Sequence, residues 1–174
     1  MSDDSSAQAR SGAGPVAFGR RLAASVGFRE MFREGMTLVE ETASYLDGQG
    51  RRESQRLSRQ AALTYATESM RLTTRLMQLA SWLLLQRAVN EGDLSAEQAN
   101  HERSKVKLGG LSTAMEGLTW GELPAQLRLL IERSVRLQER VLRLDGALTR
   151  EPGTEVVENA VQRAQNRIAG AFQR

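Results

Sequence analysis

ESQRLSRQAALTYATESMRLTTRLMQLASWLLLQRAVN, residues 53–90, decides the fold. Leu63, Ala66, Met70, Thr73, Met77, Ala80 and Leu84 recur at alternating steps of three and four. Tyr65, Ser69, Leu72, Leu76, Leu79 and Leu83 form a second stripe beside them. That period belongs to an α-helix. Two adjacent apolar stripes make a face wide enough to touch two other helices, as a bundle requires. The most apolar run, Leu76 to Leu85, is interrupted by Gln78 and Ser81 and is about half of a membrane span.

Upstream, the pattern predicts a helix from Phe18 or Leu22 to Leu46. Phe28, Phe32, Gly35, Val39, Thr42 and Leu46 follow the same steps, widened by Met31, Leu38 and Tyr45. A mid-helix glycine is unfavourable by about 0.5–1 kcal/mol against alanine, so Gly35 marks a close helix approach. Asp47-Gly48-Gln49-Gly50 is expected to end this helix, with Gly48 as a left-handed cap. Downstream, Glu91-Gly92 closes the long helix, and residues 93–121 are the least regular part. Ser95-Ala96-Glu97-Gln98 has capping-box form and predicts a short helix through His101 to Lys107. Gly109-Gly110 and Gly117 break the pattern into a loop packed on the bundle.

Pro124 suits the first turn of a third helix. Leu127, Leu130, Ser134, Leu137, Val141, Leu144 and Leu148 form its seam, and Glu151-Pro152-Gly153 ends it. The reading is an all-α chain: an antiparallel three-helix bundle over residues 18–148, a disordered arm at 1–17 and a flexible tail at 149–174. The tail spaces Val157, Val161, Ala164, Ile168 and Ala171 helically, with Phe172 beside them. Small residues dominate that stripe, so it folds only on a partner.

Composition narrows the chemistry. The 174 residues hold no cysteine and one histidine, which excludes thiolate zinc, disulfides, a cysteine nucleophile and a multi-His metal site. No phosphate loop, dinucleotide fingerprint or nucleophile elbow occurs. No enzyme activity and no cofactor are expected. The start, Met-Ser-Asp-Asp, carries no basic and apolar leader, so a cytoplasmic protein is expected. The net charge of +3 comes from 24 basic and 21 acidic residues with interspersed signs, which disfavours nucleic acid.

Three surfaces are candidates for binding. The line Glu68, Arg71, Arg75 and Gln78 continues into Trp82, Leu85 and Val89. Glu68 is either a buried acid or a partner of Arg71 or Arg75, and the apolar end is covered by the 93–121 loop or by a second copy in a homodimer. Arg133, Arg136, Arg140 and Arg143 flank the third seam as a solvated face or a site for an acidic partner. Val157, Val161, Ile168 and Phe172 are the candidate contacts of the tail. His101 reads as a surface or capping residue.

Phe28-Arg-Glu-Met-Phe-Arg-Glu-Gly-Met-Thr-Leu-Val-Glu-Glu-Thr-Ala-Ser-Tyr-Leu-Asp resembles the opening helix of the RcdA family, and Ala66 to Gly92 resembles its long helix. His101-Glu-Arg-Ser-Lys-Val-Lys-Leu fits the loop that follows. The resemblance covers roughly residues 18–148. It implies a dimeric three-helix bundle with a flexible tail, acting as an adaptor in regulated proteolysis. The implied partners are the ClpXP protease with its priming response regulator, a protein that binds cyclic di-GMP, and cell-cycle substrates, the CtrA response regulator foremost. The cell pole is the implied location. No catalytic residues carry over. The competing expectation is a DNA-associated helical regulator that uses the arginine flank.

Overall fold

The computed structural model describes residues 26–110 and 119–149. The expected arm at 1–17 lies outside the described residues. So does the tail beyond Thr149, with Val157, Val161, Ile168 and Phe172.

All regular structure among the described residues is helical: α1 (Val26–Asp47), α2 (Gln49–Ser54), α3 (Arg59–Glu91), α4 (Ala96–Lys105) and α5 (Ala125–Thr149). The three long helices each pack on the other two. Their shared core contains Leu38 of α1, Leu72, Leu79 and Leu83 of α3, and Leu127, Leu130 and Leu137 of α5. The seam expected for α5 is buried from Leu127 to Leu144, and Leu148 is half-buried. The α1 stripe is also in place. Its centre line runs through Phe28, Met31, Gly35, Leu38, Thr42 and Tyr45, while Phe32, Val39 and Leu46 lie half-buried beside it.

Gly35 stands where α1 crosses α3 and α5. A Cβ there would lie 2.6 Å from Leu83 Cδ1 and 3.5 Å from Leu137 Cδ2, so the close approach needs glycine. Gly50 of α2 is wedged against Tyr45 and Tyr65 in the same way. The Tyr45 hydroxyl donates to Glu53 Oε2 at 2.7 Å and ties α2 back to α1.

Two sequence expectations need correction. The first concerns direction. Gly35 meets Leu83 and Tyr45 approaches Tyr65, so α1 and α3 run antiparallel. Arg75 reaches Ser134 and Trp82 reaches Asp145, so α3 and α5 run parallel. The three long helices are therefore not antiparallel throughout, which corrects the expected arrangement. A parallel pair needs a crossover connection, because the chain must return along the whole length of α3, about 50 Å for its 33 residues. The stretch between Gly92 and Leu123 makes that return, which is why it is long. The second concerns Gly48. Its φ of −107° is not left-handed, and the chain continues into α2 rather than ending there.

The other punctuation is as the residues suggest. Ser58 Oγ accepts from Ala61 N and starts α3, and Gly92, at φ 83°, ends it in the left-handed region. The Ser95–Gln98 capping box is complete on both sides and starts α4.

Leu137 is fully enclosed between the three long helices. Leu137→Ala should cost about 2–5 kcal/mol in urea denaturation. Arg136→Ala, at a side chain 66% exposed, should change stability by less than about 0.5 kcal/mol. Equal effects would refute the assigned core.

Candidate functional site

Of the two apolar stripes expected to face the core from α3, one does: Tyr65, Leu72, Leu76, Leu79 and Leu83 are buried, whereas Leu63, Met70, Met77 and Leu84 are exposed. The line of Glu68, Arg75 and Trp82 is buried in place of the second stripe, and Gln86 is buried with it. Arg75 is 1% exposed. Its Nε donates to Gln138 Oε1 at 3.1 Å and its Nη1 to Ser134 Oγ at 3.0 Å. Ser134 Oγ in turn donates to the Ile131 carbonyl. Gln138 Nε2 donates to the Leu108 carbonyl, so the same site holds the crossover. Glu68 is buried and accepts from Arg71 at 2.6 Å, the i+3 pairing expected for it.

Trp82 closes the other end of the line. Its indole Nε1 donates to Asp145 Oδ1 at 2.8 Å, and the Arg103 guanidinium of α4 stands over its ring at 5.8 Å. Arg103 also donates to Gln86 Oε1 at 2.7 Å. Burial pulls the Arg75 and Arg103 guanidinium groups below their ordinary range. They start so high that both stay charged at neutral pH. The proposed dimer patch of Trp82, Leu85 and Val89 is thereby corrected. Trp82 is fully enclosed within its own chain, and Leu85 and Val89 are half-buried. Cover comes from α4 and α5. The signal that marks this arrangement is Ser134 in the middle of a leucine seam, with Gln138 and Asp145 at its edge. Those three residues supply the polar partners that Arg75 and Trp82 need.

The arginine flank of α5 divides. Arg133 pairs with Glu41 and Arg140 with Glu34, both across to α1. Arg136 approaches Glu132 at 3.8 Å. Arg143 is exposed and makes no ion pair with a described residue. Two of the four arginines thus clasp α1 to α5, and three of the four charges are paired with carboxylates where a phosphate backbone would need them free. His101 is exposed on α4. No group of three or more His, Asp or Glu among the described residues could hold a metal ion. No described helix is long and apolar enough to cross a membrane.

The expected stripe that faces outward instead is an apolar ridge. Leu63, Met70, Met77 and Leu84 are 63%, 71%, 66% and 52% exposed, one every seven residues along α3. Thr67, Thr73, Thr74 and Ser81 lie beside them, and each hydroxyl donates to the carbonyl four residues earlier. Those hydroxyls are committed to their own backbone, so the threonines present methyl groups. The ridge carries no charge between Leu63 and Leu84. Its residues are also symmetric about a point between Thr73 and Thr74: Leu63 mirrors Leu84, and Met70 mirrors Met77. Contiguous exposed apolar surface of this kind marks an interaction site.

A family model described as a protein of unknown function (DUF1465) matches residues 19–172. Among solved structures, the crystal structure of RcdA from Caulobacter crescentus CB15 is similar. It is 53% identical, the match covers 76% of this chain and 98% of that one, and the TM-score is 0.62. No curated protein matches.

Ser134→Ala removes one acceptor from a buried charged donor and should cost about 1–3 kcal/mol in urea denaturation. Arg75→Met removes the charge together with its need. The double variant should therefore lose less than the two single losses combined. Simple additivity would show that Arg75 and Ser134 do not act together.

Proposed function

Because this chain belongs to the RcdA family, we propose that it is a non-enzymatic adaptor that helps deliver cell-cycle regulators to the ClpXP protease. The observation that carries the proposal is the extent of the likeness, 53% identity over 98% of the RcdA chain. The geometry agrees with a binding role, since the most distinctive surface is an uncharged ridge built for contact. The CtrA response regulator is the first substrate to test. A priming response regulator on the protease and an effector that binds cyclic di-GMP are the proposed accessory partners, and the cell pole is the proposed location. The fold that carries these contacts is proposed to be the family's three-helix bundle, with the α3–α5 pair parallel.

A homodimer is part of this reading, with its surface moved from Trp82 to the ridge of α3. Two copies of α3 related by a two-fold axis perpendicular to the helix run antiparallel, and the mirrored ridge then places Leu63 against Leu84 and Met70 against Met77 of the second copy. Such an interface uses one patch twice, as a closed dimer does. Side chains of this size contribute about 1.5–3 kcal/mol each when fully buried.

The test is a reconstituted degradation assay with primed ClpXP and CtrA. Adding the protein should raise the degradation rate several-fold, and no acceleration would overturn the adaptor reading. Sedimentation reads the dimer separately. The wild type should sediment as a dimer at micromolar concentration and Met70→Glu/Met77→Glu as a folded monomer. A monomeric wild type would overturn the ridge pairing and leave the adaptor reading to the degradation assay.

A further inference from the structure

A second surface lies at the opposite end of the molecule's chemistry from the ridge. Where α1 begins and α5 ends, a cleft of about 390 Å³ opens between the two helices. Phe28, Met31 and Leu144 line its apolar floor, each almost wholly buried. Ala147 lies at one end, and Arg140 and Arg143 form one wall. Arg140 is held by Glu34, which leaves Arg143 as the charge without a described partner. Apolar floor and cationic wall together fit a short aliphatic segment that carries a carboxylate.

Such a segment follows directly in the chain. Residues 151–161 read Glu-Pro-Gly-Thr-Glu-Val-Val-Glu-Asn-Ala-Val, with three carboxylates and three valines. The remainder, residues 162–174, has three arginines and no acid, so the acidic part is the part nearest the cleft. Position and reach agree. Arg143 lies six residues before Thr149, about 9 Å back along α5. Six residues from Thr149 to Glu155 span up to about 20 Å when extended. Pro152-Gly153 stops a helix and permits a reversal between the two.

We infer that Glu155-Val-Val-Glu158 folds back into this cleft, with a valine over Phe28, Met31 and Leu144 and a carboxylate on Arg143. The inference is independent of the adaptor reading, because it concerns contacts within one chain. A segment docked in this way covers the cleft until another aliphatic, acidic peptide displaces it. That makes the tail a competitor for its own surface.

The absence of cysteine makes a clean test possible, since two introduced thiols are the only ones present. Gly27→Cys places a thiol on the rim of the cleft, and Arg29→Cys places one on the far side of the same helix turn. Each is combined with Val157→Cys in the full-length chain, and disulfide formation is timed on non-reducing gels. The Gly27→Cys pair should close at least tenfold faster, at the mass of a single chain. Arg143→Glu should abolish that advantage without changing the helical circular dichroism. Adding Glu155→Arg and Glu158→Arg to Arg143→Glu should restore it. Equal rates for the two thiol positions would overturn the inference. So would cross-links only at the mass of two chains, or an advantage that survives Arg143→Glu.

Discussion

A charge that cannot leave the interior sets the register of this protein. Arg75 sits mid-way along α3 with its guanidinium enclosed, and its described hydrogen bonds run to Ser134 and Gln138 of α5. A buried guanidinium left without acceptors is costly, far beyond the modest gain of making each bond. Sliding α5 by one turn against α3 would remove both acceptors at once. Leucine packing alone tolerates several registers, because the seam repeats. The polar contact does not repeat, so it selects one. Trp82 with Asp145, two turns further on, enforces the same choice.

The same contact organises what surrounds it. Gln138 holds the Leu108 carbonyl while accepting from Arg75, so the crossover is anchored at the point where the two parallel helices are keyed. Gln86 accepts from Arg103 and anchors α4 on the far side of Trp82. On the other flank, Gly35 lets α1 settle against both partners, and Glu34 and Glu41 reach Arg140 and Arg133. Those arginines serve the fold first. A surface whose cations are engaged by neighbouring glutamates presents little net field, which weighs against the DNA-associated alternative.

The three long helices, the capping box at Ser95, the Gly92 terminator and the close approach at Gly35 were legible in the residues, because each depends on local chemistry or on a short period; the short α2, where a stop at Gly48 was expected, was not. The seam of α5 was legible for the same reason. The face of α3 was legible only in part: the Tyr65–Leu83 stripe is buried as its period indicates, and the stripe beside it is not. Its apolar residues nearly encircle the helix, so period alone cannot choose between the Leu63–Leu84 line and the Arg75–Trp82 line. Hydrophobicity favours burying Met70 and Met77. The choice goes the other way because α5 and α4 carry Ser134, Gln138, Asp145 and Arg103 at the heights where Arg75, Trp82 and Gln86 need them. That is information about pairs of positions on different helices, 17 to 63 residues apart. The parallel course of α3 and α5 has the same origin, since nothing in either helix by itself records its partner's direction.

Burying the polar line has a consequence on the opposite side of the helix. A helix that places arginine and glutamate inward has correspondingly fewer charges to place outward. The ridge from Leu63 to Leu84 is left with leucine, methionine, alanine and hydroxyls that bond their own backbone, and the exposed charges of α3 lie beside it or at its ends, as Arg71, Arg87 and Glu91 do. Methionine is unbranched and adapts to different partners, and a row of it along a long straight helix makes a forgiving contact surface. The core keeps its register through directional hydrogen bonds while the surface stays apolar and undirected. The proposed adaptor role, holding partners and releasing them, is served by that division. The interior needs uniqueness, and the ridge needs only area and shape. The polar core is therefore the reason the exposed face of α3 can be apolar without making the fold ambiguous.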